Sequence, residues 1–119
     1  MSRILLNVSH GIDIPDRPSA AFTLATAAIA AEHETVVSLT IEGVYLAQKG
    51  YSDAIHAPPF ERLKDLMDLF LEGGGKLWVC QKCMKRRSIS PDSLIPGSEV
   101  VSATRVIEFV APGISVLSF

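Results

Sequence analysis

Lys76-Leu77-Trp78-Val79-Cys80-Gln81-Lys82-Cys83-Met84-Lys85-Arg86-Arg87 is the stretch on which the reading of this chain turns. Residues 76–79 have the composition of a short strand, with Leu77-Trp78-Val79 at its centre, and the strand runs straight into Cys80. Residues 81–87 read as a short helix rich in basic side chains. A strand that passes directly into a helix is the junction from which parallel α/β sheets are built.

The same alternation extends in both directions. Residues 60–71 have helical spacing: Phe60, Leu63, Met67 and Phe70 form a stripe widened by Leu66 and Leu69, opposite Glu61, Lys64, Asp65 and Asp68. Gly73-Gly74-Gly75 ends that helix. It does not read as a phosphate loop, because it follows a helix and lacks a Gly-Lys-Ser/Thr ending. Residues 51–59 form an irregular link. Residues 41–50 look like a short helix entered through a turn and ended by Gly50. Residues 34–40 form a strand built on Thr35, Val36 and Val37.

An alanine-rich helix reaches to Glu32, with Asp16 or Ser19 as its cap and Pro18 in its first turn. Phe22, Leu24 and Ile29 are its large apolar residues, and the rest is small and uncharged. Such a helix is expected to be buried on more than one side, by the sheet and by a subunit contact. Residues 3–8 are the first strand.

Beyond residue 87, Ser90-Pro91-Asp92 and Pro96-Gly97 mark turns. A short strand or turn near residues 94–100, a helix to about Val110, and an apolar strand over residues 114–119 complete the order. The pattern β-α-β-α-α-β-α-(β)-α-β predicts a three-layer flavodoxin-like sandwich with a mostly parallel sheet of four to five strands. Residues 1–119 are expected to form a single domain.

Composition narrows the function classes. The 119 residues are 48% hydrophobic and 20% charged, which excludes a disordered chain. The formal charge of −2 disfavours general nucleic-acid binding. Mean hydropathy is +0.30, high for a small protein, and implies a sheet covered on both faces or surface buried between subunits. The apolar run Ile4-Leu5-Leu6 breaks at Asn7, too soon for a signal peptide, and no stretch reaches the roughly 20 apolar residues of a membrane span. These features point to the cytoplasm.

Ligands of open parallel sheets bind at the carboxyl ends of strands. That rule selects Ser9-His10-Gly11, Glu42-Gly43 and Cys80. Cys80 stands where strand becomes helix, and Lys82, Lys85, Arg86 and Arg87 follow it. Helix amides and nearby cations favour thiolate over thiol, and thiolate is the form that attacks another sulfur. Cys83 lies one turn on.

Three other readings of Cys-x-x-Cys remain open: cysteines that merely pack, a dithiol redox pair, and a zinc site. Zinc requires three or four ligands, and the chain offers two cysteines with His10, His33 and His56 in no paired motif. His10 is either a proton donor or orienting group for the cysteine, or a loop histidine with a local bond. Glu42-Gly43 either helps bind a ligand or starts a helix. No cofactor is implied.

Asn7-Val8-Ser9-His10-Gly11, Glu42-Gly43-Val44-Tyr45-Leu46-Ala47 and the segment from Trp78 to Arg87 together resemble the DsrE/DsrF/DsrH-like proteins of sulfur relay and sulfur oxidation, which include the TusD-type carriers. The resemblance covers nearly the whole chain. It implies a flavodoxin-like fold, a homo-oligomer (trimer or hexamer), sulfur donor and acceptor proteins as partners, and a cysteine that carries sulfur as a persulfide. Cys80 matches that cysteine. Cys83 matches no general family requirement, and Ser88 stands where many members have glycine. His10, Glu42, Lys82, Arg86 and Arg87 are the expected supporting residues.

Overall fold

The computed structural model describes residues 2–119. Five strands form one sheet: β1 (Arg3–Val8), β2 (Glu34–Leu39), β3 (Lys76–Cys80), β4 (Ser98–Val101) and β5 (Ser115–Ser118). Their order is β4-β3-β2-β1-β5, and every adjacent pair is parallel. The helices are α1 (Asp16–Ala30), α2 (Leu63–Glu72), α3 (Gln81–Arg86) and α4 (Ala103–Val110).

The two faces of the sheet are covered unequally. On one face Leu6, Val8, Val37, Leu39, Leu77 and Val79 pack against Ala21, Phe22 and Ala25 of α1, against Leu63, Met67 and Phe70 of α2, and against Met84 of α3. Phe22 and Phe70 meet edge to face at 5.7 Å, a geometry that adds to the burial of both rings. On the other face Leu5, Val36, Trp78 and Val101 are covered by Val106, Phe109 and Val110 of α4. No residue of α4 or β5 is fully buried. The high hydropathy is therefore only partly absorbed: Ile107, Val116 and Leu117 are exposed.

Several local expectations are corrected. Neither Asp16 nor Ser19 caps α1: Asp16 is already helical, and Pro15 occupies the cap position with no side-chain bond. Ser19 turns its hydroxyl back onto the Pro15 carbonyl at 2.8 Å. Within the single chain, Leu24 of α1 is exposed while Ala21, Phe22 and Ala25 are buried. Phe60 lies outside α2, which begins at Leu63. Ala57 accepts the Phe60 N–H in a turn, and Ile55 accepts that of Leu63. The short helix after β2 is a 3-10 helix, Ile41–Ala47. Gln48 leaves it in extended conformation and bridges to Leu94, so Gly50 instead enters a second 3-10 turn, Tyr51–Ala54.

The connections from β3 and β4 leave the sheet on opposite faces. α3 packs Met84 into the core shared with α1 and α2, whereas α4 lies across the other face. Adjacent strands whose connections diverge leave a crevice at their carboxyl ends, the switch point of an open sheet. Cys80 ends β3 at that crevice, paired with Val101 of β4.

Candidate functional site

Cys80 lines a groove of about 220 Å³ on the α4 face, together with Asn7, Ser38, Thr40, Val101, Ser102, Ala103, Val106 and Ile107. The polar floor comes from the carboxyl ends of β1 and β2, where Asn7 and Ser38 follow apolar residues and Thr40 comes just after β2. The Thr40 hydroxyl donates to Asn7 Oδ1 at 3.2 Å, which leaves the Asn7 amide nitrogen free of that bond. The walls are aliphatic. Both cysteines are reduced and half-buried. The backbone N–H of Cys83 donates to Cys80 Sγ at 3.4 Å, so the sulfur takes the place of a helix cap for α3.

Cys83 does not line the groove; it packs against the main core, with the Ile41 N–H of the 3-10 helix after β2 near its sulfur. Burial pushes its thiol up from the ordinary value, and the hydrogen bond to Cys80 adds to that shift; the Ile41 N–H and the Arg87 charge pull against it. The Ile41 amide reaches this position through a backbone φ of +51°, which a β-branched residue adopts only under strain. Strain of this kind persists where the surroundings over-determine it. Here Gly43 supplies the constraint: its bare Cα lies against the Val8 carbonyl, where no side chain fits.

Glu42 and Arg87 form an ion pair, with Arg87 Nε 3.3 Å from Glu42 Oε1. Arg87 also donates through an Nη1 N–H to the Cys83 carbonyl at 3.3 Å. The Arg87 guanidinium is thus bonded to Glu42 and to the Cys83 carbonyl. Lys82 and Arg86 are exposed, and Lys82 shares a small cleft with Cys80.

His10 is held elsewhere. Its Nδ1 lies 2.9 Å from Asp13 Oδ2, and Asp13 Oδ1 accepts the Gly11 N–H at 2.7 Å. The hydrogen bond from His10 leads the causes that hold the Asp13 carboxyl below its usual range. β2 separates this loop, at the end of β1, from Cys80 at the end of β3. His10 is not among the groove residues. The residues that the sequence reading missed are Asn7, Ser38, Thr40 and Ser102. Their signal was a polar residue at alternate positions near the end of each apolar strand. Among the described residues, no group of three or more His, Cys, Asp or Glu side chains comes together to hold a metal.

A sequence profile of the DsrE/DsrF-like family matches residues 2–119. The chain belongs to the DsrE/DsrF-like family. Two uncharacterized proteins of Methanocaldococcus jannaschii are similar to this DsrE/DsrF-like chain. MJ0760 is 28% identical over 96 residues, 81% of this chain and 35% of that protein. MJ0989 is 28% identical over 104 residues, 87% of this chain and 88% of that protein. The chain thus spans about a third of the length of MJ0760.

In structure, YchN of E. coli superposes with a TM-score of 0.83 at 17% identity, covering all of both chains. MTH1491 of Methanobacterium thermoautotrophicum, a protein of unknown function, superposes with a TM-score of 0.80 at 13% identity, again over both full chains. The fold is the flavodoxin-like α/β fold of these proteins. Among the described residues, no helix is long and apolar enough to cross a membrane.

Proposed function

We propose that this protein is a sulfur-relay carrier in which Cys80 holds sulfane sulfur as a persulfide. The Cys80 thiolate attacks the outer sulfur of a donor persulfide, R–S–SH. A new S–S bond forms, the donor S–S bond breaks, and the donor leaves as R–S⁻, giving Cys80–S–SH. An acceptor thiolate then takes the outer sulfur in the same way and regenerates the Cys80 thiolate. The observation that carries this reading is the half-buried Cys80 sulfur at the β3–β4 switch point, bonded by the Cys83 N–H and open to a groove. Membership of the DsrE/DsrF-like family agrees with it.

A second reading uses Cys80 and Cys83 as a redox dithiol, and their one-turn spacing, with the Cys83 N–H on the Cys80 sulfur and both cysteines free, favours it. In a carrier, that same closeness risks discharge: a Cys83 thiolate attacking the inner sulfur of Cys80–S–SH would give a Cys80–Cys83 disulfide and release HS⁻. Keeping Cys83 protonated slows this step, because the thiolate is the attacking form. The raised Cys83 thiol thus weighs toward the carrier.

Donor and acceptor proteins are the partners on this reading, the cytoplasm is the compartment, and a homo-oligomer is the working form, with exposed Val116 and Leu117 on edge strand β5 available to a second subunit. Intact mass after incubation with a persulfide donor tests the chemistry. Gain of one sulfur atom by the native chain and none by Cys80→Ser is expected. Equal gain by Cys80→Ser overturns the proposal.

A further inference from the structure

Cys80 lines two openings. One is the apolar-walled groove; the other is a cleft of about 70 Å³ formed with Gln81, Lys82, Val101, Ser102 and Ala103. The sulfur therefore stands between an aliphatic trough and the start of a cationic helix. Residues 81–87 carry four positive charges and no carboxylate. The whole chain is −2 and this segment +4, which leaves −6 on the rest. Arg87 is engaged by Glu42. Lys82, Lys85 and Arg86 are exposed and form no ion pair among the described residues.

These three cations share one stripe, because positions i, i+3 and i+4 of a helix are neighbours. From Lys82 to Arg86 the helix rises about 6 Å, which about two residues of extended chain would cover. The groove is different in kind. Ile107 stands 61% exposed at its wall, beside Val101 and Val106, and no charged side chain lines it. A ligand that satisfies both regions is apolar on one side of the reacting sulfur and acidic on the other.

We propose that the groove and α3 form one docking track for an extended acidic peptide segment of the sulfur donor or acceptor protein. An apolar side chain next to the partner's cysteine sits between Val101, Val106 and Ile107. Asn7, Ser38 and Thr40 meet its backbone polar groups. Carboxylates beyond the cysteine lie along Lys82, Lys85 and Arg86. The inference rests on the sulfur-relay reading only in calling this peptide part of a donor or acceptor.

The test uses the full chain and short cysteine peptides activated as mixed disulfides with thionitrobenzoate. Cys80 attacks the peptide sulfur, a Cys80–peptide disulfide forms, and thionitrobenzoate leaves with the electron pair and is read by its absorbance. No persulfide is involved, so failure here is distinct from failure to take up sulfur. The peptides carry isoleucine or glycine before the cysteine and aspartates or lysines after it. The isoleucine–aspartate peptide is expected to react about tenfold faster than its glycine counterpart. It is also expected to react about tenfold faster than its lysine counterpart.

The second factor shrinks as salt is added and reverses in Lys82→Glu/Arg86→Glu. Ile107→Ser removes the first. Equal rates for all peptides overturn the proposal. So does an Ile107→Ser variant that keeps the peptide preference but loses mass in solution, which assigns the groove to a second copy. Suppression of the reaction by a short RNA oligonucleotide, with no acidic-peptide preference, also overturns it.

Discussion

Replacing Gly43 by alanine is the sharpest test of how the site is held. Gly43 sits in the first turn after β2, buried against the end of β1. A Cβ built there runs into the Val8 carbonyl oxygen and lies 2.9 Å from the carbonyl carbon and 3.4 Å from Ser9 Cα. Carbon atoms settle at about 3.5 Å or more, so the turn has to retreat by about 0.6 Å from that carbon alone. Nothing flexible is there to yield, since the obstacle is backbone. The same Val8 carbonyl accepts the Thr40 N–H at 3.0 Å, and the retreat strains that bond.

Overpacking costs about 1–3 kcal/mol, and loss of one buried hydrogen bond adds about 1 kcal/mol, giving roughly 2–4 kcal/mol. With an unfolding entropy of about 2.1 cal/mol/K per residue, a loss of that size lowers Tm by about 8–16 °C in a chain of this length. Gly50→Ala is the control. Its φ is +85° but no atom lies within 4 Å of the added Cβ, so only the left-handed backbone cost of about 1–2 kcal/mol applies. Urea unfolding of both variants measures the difference. The turn also carries the Ile41 amide away from Cys83, so the Cys83 thiol in Gly43→Ala titrates higher than in the native chain. A Gly43→Ala variant no less stable than Gly50→Ala, with an unchanged Cys83 titration, refutes the reasoning.

Arg87→Gln removes a charge that pulls the Cys83 thiol down, so Cys83 in that variant titrates at higher pH, read by thiolate absorbance in a Cys80→Ser background. Ser88→Gly relieves a left-handed φ of +54° and is expected to stabilise the chain by about 0.5–1 kcal/mol in urea unfolding, the net of backbone strain removed and glycine entropy added. His10→Ala removes the leading cause of the lowered Asp13 carboxyl. Because that group titrates below its unfolded value, its contribution to stability is present above about pH 4 and lost as pH falls through the folded value. The variant therefore shows a shallower loss of stability in acid, while its alkylation rate at Cys80 stays at the native level.

Regular periodicity made most of the sheet and its main helices legible. β1 has the expected bounds, and Leu77-Trp78-Val79 marks β3, because a strand buried on both faces needs an unbroken apolar run. α3 was legible from its position directly after Cys80. Phe60 misled because helical spacing reports which face is apolar, not where the backbone begins to coil; Pro58-Pro59 and the turn at residue 60 settle that. The 3-10 helix after β2 depends on Ile41 at φ +51° and on Gly43 touching another strand, neither of which is a local propensity. Cys80, Cys83, Glu42 and Arg87 stood out because their residue types carry chemistry, and the structure places them at one strand–helix junction and the turn beside it. Asn7, Ser38 and Thr40 were passed over because small polar residues near strand ends more often begin turns than line a groove. Ser88 has a physical reading after all: glycine suits a left-handed backbone, and the serine here bears its cost.

The arrangement of the two cysteines follows from the topology rather than from their spacing. Cys80 ends a strand whose neighbour, β4, sends its helix to the other face, so the sulfur has a gap beside it instead of a packed layer. Cys83 lies on the turn of α3 that packs toward the core beneath the 3-10 helix, where desolvation favours the neutral thiol. One strand–helix junction thus opens the first thiol to a groove and raises the second above its ordinary value. Exchanging their surroundings would demand that α3 cross to the α4 face. That would carry Met84 out of the main core and empty the space between α3 and the first core layer, so the burial of Met84 holds the two thiols in unlike environments.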